Sequence, residues 1–310
     1  MNILKKIPYW LITPINDQVK KTWWYRNQLD NSNRYPTNSW YRLNLDRNYE
    51  MACIGSSNAY YAYKFSDSDV KGMNWADKPR SLELSFKILK NFFSIIKNDG
   101  LIIISLGPFS GIKAPWAGNK EEDRLYGILA PELFTDFRQT SRRMSFPIIA
   151  HPKTSIIKLI KDDHKADRYE IKQLNSKEEY LSDADKWITL WKREFGIESL
   201  ECEIPMHLHS SLSERENLMV EIIKFCKERD LNPIVTLPPV HQALSHHFTQ
   251  TFKDRYLEPI LKISEQNGAT IIDMLNDEGY EDDDFYNSFF LNPKGSRKFM
   301  ENLNKRIHNL

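Results

Sequence analysis

The sequence predicts an α/β fold, a three-layer, doubly wound sheet of about five parallel strands with a helical insertion. Two observations predict it. Short apolar runs alternate along the chain with longer helical patterns, and several of these runs end at Gly or Pro. The run at residues 101–106 is rich in isoleucine, which is typical of a parallel strand covered on both faces. Ligands of such a sheet lie beyond the carboxyl ends of its strands.

The first three strands follow from short runs and the residues around them. Residues 51–55 form an apolar run that ends in glycine, which predicts the first strand. A second strand is predicted near residues 70–75, and Pro79 then stands where a helix favours its first residue. The turn residues 98–100 are predicted to end that helix, and residues 101–106 form the third strand.

The second half of the sheet is predicted in the same way. Capping-box spacings at Ser176 and Ser211 predict the starts of two helices. Residues 234–237 and 269–272 are predicted as the fourth and fifth strands, with one amphipathic helix between them. A C-terminal helix is predicted after Pro293.

The expected domain organisation is one main domain with an arm before it. Residues 1–48 are rich in Pro, Asn and aromatic residues without a clear period, which predicts an irregular arm. Residues 49–310 form the domain, with a helical insertion at about 108–200. Aromatic residues of the arm, such as Trp10 and Trp24, are expected to pack against the main body, with a membrane interface or a partner as the alternative.

The composition predicts a chain that folds on its own and has no partner selected by net charge. Of its 310 residues, 41% are hydrophobic and 12% are aromatic, which provides enough apolar surface for a core. The 43 Lys and Arg residues nearly balance the 42 Asp and Glu residues. No net field therefore indicates nucleic acid or an acidic membrane as the partner.

The cysteines and the first residues predict a cytoplasmic chain. Cys53, Cys202 and Cys226 are far apart in sequence and show no paired spacing, which favours a reduced compartment. The apolar run at the start is short and is broken by Pro8 and Pro14, unlike a signal peptide. No stretch approaches the roughly 18 apolar residues that a spanning helix needs, so no transmembrane segment is expected.

Candidate site residues follow three of the predicted strands. Gly55, Ser56 and Ser57 follow the first strand, Gly107 follows the third, and His241 follows the fourth. A serine at a strand-to-helix turn presents its hydroxyl outward, and nearby backbone N–H groups can hold an oxyanion. Ser57 is therefore the candidate nucleophile, and a helix-capping serine is the alternative.

These motifs resemble those of the SGNH/GDSL hydrolases. Gly55-Ser56-Ser57 is similar to the family's first block, whose serine is the nucleophile. The segment at 72–76 resembles the second block, and the resemblance implies an oxyanion-hole donor at Gly72 or Asn74. Residues 286–299 resemble the last block, in which Asp-x-x-His precedes Leu-Asn-x-x-Gly and a helix. The resemblance covers about residues 50–308 and is closest to family members associated with surface-polysaccharide or teichoic-acid assembly.

The sequence departs from the family pattern at the catalytic positions. Asn287 stands at the family's Asp position and Phe290 at its His position, while Leu291, Asn292 and Gly295 keep the frame. The third block, usually Gly-x-Asn-Asp, is replaced by the segment that begins at Gly107. Without a general base the serine hydroxyl stays protonated and is a poor nucleophile.

The candidates for a substitute base are three histidines and one carboxylate. His241 follows a strand end, and His246 and His247 follow it; Asp77 is a further candidate partner for Ser57. An ordinary loop or surface position is the alternative for each histidine.

Two functions are consistent with this pattern. One is an esterase, O-deacetylase or O-acetyltransferase that acts through Ser57 on a carbohydrate or on a cell-surface glycan precursor. The other is a pseudoenzyme, a binding or scaffold protein in polysaccharide or capsule biosynthesis, because Asn287 and Phe290 replace the catalytic pair. A polysaccharide-assembly enzyme is a further candidate partner in either case, and no cofactor or nucleic acid is expected.

Two polar segments have features of metal sites. His207 and His209 have a metal-ligand spacing if they lie on one face of an extended segment. A polar surface segment is the favoured interpretation. The acidic residues 281–284 lack the alternating ligands of a calcium loop and are expected to form a solvated turn. No metal site is therefore predicted.

Overall fold

The sheet of this protein has the predicted architecture. The structure is a computed structural model that describes residues 8–22, 24–25, 48–118, 121–161 and 171–309. Its strands are β1 (Tyr49–Ile54), β2 (Gly72–Asn74), β3 (Ile96–Ser105), β4 (Asn232–Leu237) and β5 (Thr270–Asp273). Within the described residues they form a five-stranded, all-parallel sheet in the order β2-β1-β3-β4-β5. This is a flavodoxin-like, three-layer α/β fold, so the predicted fold class is confirmed.

The described helices are numbered in chain order. They are α1 (Tyr9–Lys21), α2 (Ser57–Ala62), α3 (Leu82–Phe92), α4 (Phe137–Ser145), α5 (Pro147–Ala150), α6 (Pro152–Ile160), α7 (Lys177–Phe195), α8 (His209–Lys227), α9 (Gln242–Ser245), α10 (Gln250–Tyr256), α11 (Glu258–Gln266) and α12 (Pro293–His308).

The register of the sheet places the carboxyl ends of β1, β3 and β4 next to one another. Ile54 of β1 pairs with Ile104 of β3, and Ile104 pairs with Val235 of β4. All three side chains are fully buried, as expected for strands covered by helices on both faces. The loops that follow β1, β3 and β4 therefore leave the sheet side by side.

The chain divides into two compact units that differ from the predicted organisation. The larger unit contains the sheet and comprises Leu45–Ala117 and Ile171–Leu310. The smaller unit comprises Met1–Asn44 and Gly118–Glu170. The expected arm at 1–48 is thus grouped with the middle of the expected insertion, whereas the two ends of that insertion belong to the sheet unit.

The smaller unit has its own apolar core and its own ion pairs. Ile12 and Val19 of α1 pack with Ile148 of α5. The buried carboxylate of Asp123 lies 3.0 Å from the guanidinium of Arg143. The expectation of an irregular arm is wrong for residues 9–21, which form a helix because α1 buries one side against α5 and α6.

Two element boundaries in the first half of the chain differ from the predictions. Helix α3 begins at Leu82 rather than at Pro79, because the Ser81 hydroxyl accepts a hydrogen bond from Leu84 N and caps it. Residues 98–100 do not end that helix but lie inside β3.

The turn at 98–100 is a bulge within the strand. Tyr49 pairs with Ile96 and Met51 with Leu101, so β3 has extra residues at this point. Asp99 has φ of 58°, and its N–H donates to Asp230 O at 2.8 Å. The sequence pattern therefore identifies the turn-forming residues correctly but places them wrongly between a helix and a strand.

In the second half, one predicted cap is confirmed and one is wrong. The Ser176 hydroxyl accepts from Glu179 N and begins α7. Ser211 lies inside α8 instead, and its hydroxyl accepts from Lys113 N at 2.7 Å. The single helix predicted between β4 and β5 is three short helices, because Thr249 caps α10 and Pro259 lies in the first turn of α11.

Candidate functional site

The loops after β1 and β3 meet beside the tail block, the segment of residues 281–299. The Asn58 amide donates to Leu106 O at 2.9 Å, which joins the first turn of α2 to the end of β3. A Cβ placed on Gly107 would lie 3.5 Å from the Asn58 amide nitrogen and 3.8 Å from the ring of Phe289. Gly107 therefore lies between the β1 turn and the tail block.

Helix α2 contacts the tail block directly. The ring of Tyr61 lies 4.7 Å from that of Phe290 and 6.1 Å from that of Tyr286. The Ser296 hydroxyl donates to Ala62 O at 2.9 Å. The turn after β1 and the tail block thus share one edge of the sheet, as expected from the sequence.

Ser57 is the first residue of α2, and its side chain is half-buried. In the described part of the chain its hydroxyl makes no hydrogen bond. The N-cap position belongs to Ser56, whose hydroxyl accepts instead from Arg80 N at 3.3 Å. The alternative of a helix-capping role for Ser57 is therefore wrong, and its hydroxyl is left available.

Gly55 and Gly107 follow β1 and β3, and only Gly55 is explained by close packing. A Cβ on Gly55 would lie 2.7 Å from Ala59 Cβ and 2.9 Å from Ser105 O, so no side chain fits there. The Gly107 N–H already donates to the Ser110 hydroxyl at 2.7 Å. A donor that is engaged within the protein is not free for an oxyanion, and this counts against that role for Gly107.

The predicted second block has a structural role in this geometry. Gly72 lies inside β2, opposite Met51, and a Cβ there would lie 2.2 Å from the ring of Phe65. Its position is therefore well before the carboxyl end of the sheet. The Asn74 amide donates to Ala59 O and Tyr63 O, both at 3.0 Å, so it holds the end of α2 rather than facing a ligand.

His241 is held on both ring nitrogens. Its Nδ1 accepts from Ala243 N at 3.1 Å, so Nε2 carries the proton and donates to Asp282 Oδ1 at 2.9 Å. Its ring stacks on Tyr180 with centroids 4.0 Å apart. The arrangement fixes the loop after β4 and leaves neither nitrogen for the Ser57 hydroxyl.

The other candidate partners of Ser57 are also engaged elsewhere. Asp77 is buried and pairs with the Arg80 guanidinium at 3.0 Å. His246 contacts Gln242 O within its own helical turn. His247 lies 3.5 Å from the Asp185 carboxylate. None of these contacts directs a base toward Ser57.

The two positions that the sequence resemblance assigns to a catalytic Asp and His form a turn and an apolar ring in this structure. Asn287 Oδ1 accepts from Phe289 N at 3.0 Å and from Phe290 N at 2.9 Å, which forms an Asx turn. The Phe290 ring is 7% exposed and packs against Phe289, Tyr61 and Trp187. A residue that only packs cannot accept a proton.

Leu291, Asn292 and Gly295, on which the resemblance to the last block rests, hold the tail block together. Asn292 Oδ1 accepts from Lys294 N and Gly295 N and caps α12. A Cβ on Gly295 would lie 2.1 Å from Asp284 O, so only glycine allows this close approach. Leu291 is buried and bridges to Phe285.

The acidic segment 281–284 is not simply a solvated turn. The Asp284 side chain is fully buried and lies 2.8 Å from Lys298 Nζ and 3.4 Å from Lys294 Nζ. Burial raises the pKa of this carboxyl, but the hydrogen bond from Lys298 and the nearby lysine charges outweigh it, so the pKa is lower than usual. The prediction is wrong at Asp284, because two lysines of α12 neutralise it there.

One face of α7 organises this edge, and sequence reasoning missed it. The Tyr180 hydroxyl donates to Asp282 O at 2.7 Å, and burial followed by the charge of Asp282 raises its pKa to about 12. Asp183 accepts from Ser288 N and from its hydroxyl at 3.0 and 2.6 Å. The signal was the spacing of Tyr180, Asp183 and Trp187, which places them on one side of a helix.

His207 and His209 do not face a common ligand. They lie in a 3-10 turn and at the start of α8, not in an extended segment. His207 Nε2 contacts Phe195 O at 2.9 Å, and His209 Nε2 contacts Ile204 O at 3.2 Å. Among the residues that the structure describes, no group of three or more His, Cys, Asp or Glu side chains could hold a metal ion.

Comparisons with known proteins do not add a family to these observations. No protein-family model matches the chain, and no curated protein matches it either. A bilayer-spanning helix is absent from the described residues, where every helix is too short or too polar to cross.

Proposed function

We propose that this protein is a carbohydrate-binding protein of the SGNH type that has lost acyl-transfer chemistry. The observation that carries the proposal is the aromatic packing of Phe290 at the position of the family's base. The alternatives, His241 and Asp77, are held by other partners. A serine without a base is a poor nucleophile, so recognition is the function that this edge supports best.

An aromatic rim beside Ser57 supports a carbohydrate as the ligand. Tyr60, Tyr61, Trp187 and Tyr286 are all partly exposed, in contrast to the buried Phe290. Aromatic rings with a polar end suit ligands that combine apolar faces with hydroxyl groups, as sugars do. The Lys78 ammonium donates to the Tyr61 hydroxyl at 2.8 Å and adds a charged group to the rim.

The rest of the proposal rests on the resemblance and on composition. We assign the protein to the cytoplasm, where three unpaired cysteines remain reduced, and to the assembly of a surface polysaccharide or capsule. Its partners are a glycan precursor and, in the scaffold form of the proposal, an enzyme of that assembly. Both assignments depend on the carbohydrate binding that is tested next.

The binding test uses calorimetric titration with oligosaccharide fragments of bacterial surface polysaccharides, with and without O-acetyl groups. We expect saturable binding that weakens by about tenfold in Tyr60→Ala and Tyr286→Ala, since each removes an aromatic face. Trp116→Ala is the matched control, because Trp116 is also partly exposed but contacts Glu194 instead. No saturable binding to any fragment, or equal weakening by the control, would contradict the proposal.

Acyl transfer through Ser57 is the second candidate, and the unbonded hydroxyl of Ser57 favours it. In that reaction the hydroxyl attacks the carbonyl carbon of an acyl ester, the bond to the ester's alcohol breaks and that alcohol leaves with a proton. The acyl group then passes from Ser57 to water or to a sugar hydroxyl. The hydroxyl proton needs an acceptor, which the substrate would have to supply.

A fluorophosphonate probe and an acetyl-ester assay distinguish the two candidates. We expect the parent protein to show neither labelling nor turnover. The double variant Asn287→Asp with Phe290→His restores the family pair, and Asp at 287 can still accept from the same two N–H groups. Labelling of the parent at Ser57, lost in Ser57→Ala, would establish acyl transfer and exclude a purely binding role.

A further inference from the structure

The smaller unit exposes large apolar side chains that are not part of its core. Its helices α1 and α6 pack together around Ile12, Val19 and Leu159. On the outer side the same two helices expose large apolar side chains. Trp10 is 72% exposed and Ile160 is 78% exposed.

Six exposed residues make up this surface, which we call the α1–α6 patch. The structure describes ten large apolar side chains as exposed, and six of them belong to this patch. Isolated exposed apolar residues are common, whereas a cluster marks an interaction site. The residues are Trp10, Leu11, Ile15, Ile156, Ile157 and Ile160.

The charges on these two helices are almost all positive. The described residues 9–22 and 152–161 contain five lysines and one acidic residue, Asp17. Lys153 shares a side of α6 with Ile156 and Ile160, which follow it by three and seven residues. The lysines are Lys20, Lys21, Lys153, Lys158 and Lys161.

We propose that the α1–α6 patch docks the protein onto an anionic lipid bilayer. Apolar side chains with a tryptophan suit the boundary between headgroups and acyl chains, and surrounding lysines suit anionic headgroups. A second copy of the chain would bring five lysines against five lysines, which disfavours a symmetric dimer through this surface. The helices have 13 and 9 residues and lie on the membrane rather than crossing it.

This inference does not depend on the proposed function of the Ser57 edge. It departs at Trp10 from the expectation that the early aromatic residues pack against the main body, since Trp10 is largely exposed. Trp24, in contrast, does pack against the core of the smaller unit. Trp10 is therefore exposed, whereas Trp24 is packed within the smaller unit itself.

The experiment is co-sedimentation of the full chain with lipid vesicles. One set is phosphatidylcholine alone, and the other contains about one third phosphatidylglycerol. We expect binding to the anionic vesicles that weakens as salt is raised from low to physiological strength, because charge attraction is screened. We expect the partition coefficient for neutral vesicles to be lower by about tenfold or more.

The apolar part is tested with Ile156→Glu combined with Ile160→Glu. Both residues are exposed, so the fold should tolerate the change, and circular dichroism with thermal melting checks this. Partitioning onto anionic vesicles should fall by about tenfold or more. The matched control is Leu181→Glu combined with Met206→Glu, which places the same charges at exposed apolar positions of the sheet unit. It should bind nearly as the parent does.

Four results would overturn the inference. They are no binding of the parent to anionic vesicles at low salt, equal loss in the control pair, equal binding to neutral and anionic vesicles, and a concentration-dependent dimer that only the patch variant abolishes. The last result would identify a second copy as the occupant of the surface. Light scattering after size exclusion measures it in the absence of lipid.

Discussion

The turn after β1 and the tail block lie at the same edge of the sheet but use their polar groups differently. In the turn, the Ser57 hydroxyl has no hydrogen-bond partner in the described chain. In the tail block, the side chains of Asn287, Ser288 and Asn292 are all bonded to the fold. The turn after β1 therefore keeps a hydroxyl without a protein partner. The tail block uses its polar side chains for hydrogen bonds within the fold.

This difference shows that residues of one motif can stabilise the fold without taking part in chemistry. The tail block keeps its frame because Asn292 caps a helix and Gly295 permits a close backbone approach. Neither role needs a catalytic pair, so Asn287 can form a turn and Phe290 can fill space. The Ser57 hydroxyl then makes no hydrogen bond to the tail block in the described chain.

The largest loss of stability is expected from a substitution that breaks the aromatic packing in the tail block. Phe290→Ala should lower the free energy of unfolding by about 3 to 5 kcal/mol, because it removes a buried ring that touches three others. Denaturant titration measures the loss. Leu190→Ala, at an exposed position of α7, is the control and should change little. A loss below about 1 kcal/mol would mean that the ring is not part of the fold.

A smaller effect is expected when the buried carboxylate of the tail block is removed. Asp284→Asn should cost about 2 to 4 kcal/mol at neutral pH, because two lysines lose their buried partner. Asp283→Asn is the control, since Asp283 is largely exposed and its pair with Lys294 should matter much less.

The same variant carries a pH dependence whose sign follows from the lowered pKa of Asp284. The unfolded carboxyl titrates near its ordinary value of 3.8 and the folded one below it, so the unfolded chain binds the proton first. The stabilisation is therefore complete above about pH 4 and is lost as the pH falls through the folded pKa. Acid unfolding of parent and variant should converge in that range, and a gap that widens on acidification would refute the assignment.

The smallest effect is expected in the turn after β1. Ser57→Ala should change the free energy of unfolding by less than about 0.5 kcal/mol, because its hydroxyl bonds to nothing in the described fold. Ser81→Ala should cost about 1 kcal/mol, because that hydroxyl caps α3. Thermal melting of both variants measures the contrast. Equal losses would show that Ser57 has a structural partner.

Patterns local in the chain were sufficient to predict much of the fold. The isoleucine run of β3 and the cap at Ser176 each depend on neighbours within a few residues. The period of hydrophobic residues along the chain follows from backbone geometry and from which side chains are buried. Both repeat every few residues, so this period predicts helices and strands. The parallel order of the strands follows from their alternation with helices.

The contacts that decide the site are long-range and were not predictable in this way. Asn74 and His241 have donors or acceptors that a sequence shows as available, but the folded chain supplies each with partners. The bulge at Asp99 and the ring contacts of Phe290 join segments more than one hundred residues apart.

By itself, then, the sequence determined the class of the fold and which residues follow the carboxyl ends of β1, β3 and β4, among them Ser57, Gly107 and His241. Only the tertiary structure decided which of the remaining polar groups are free. The reason is that a buried donor or acceptor must be satisfied, and its partner is chosen by packing across the whole domain rather than by neighbours in the chain. Ser57 is left unbonded and His241 is not.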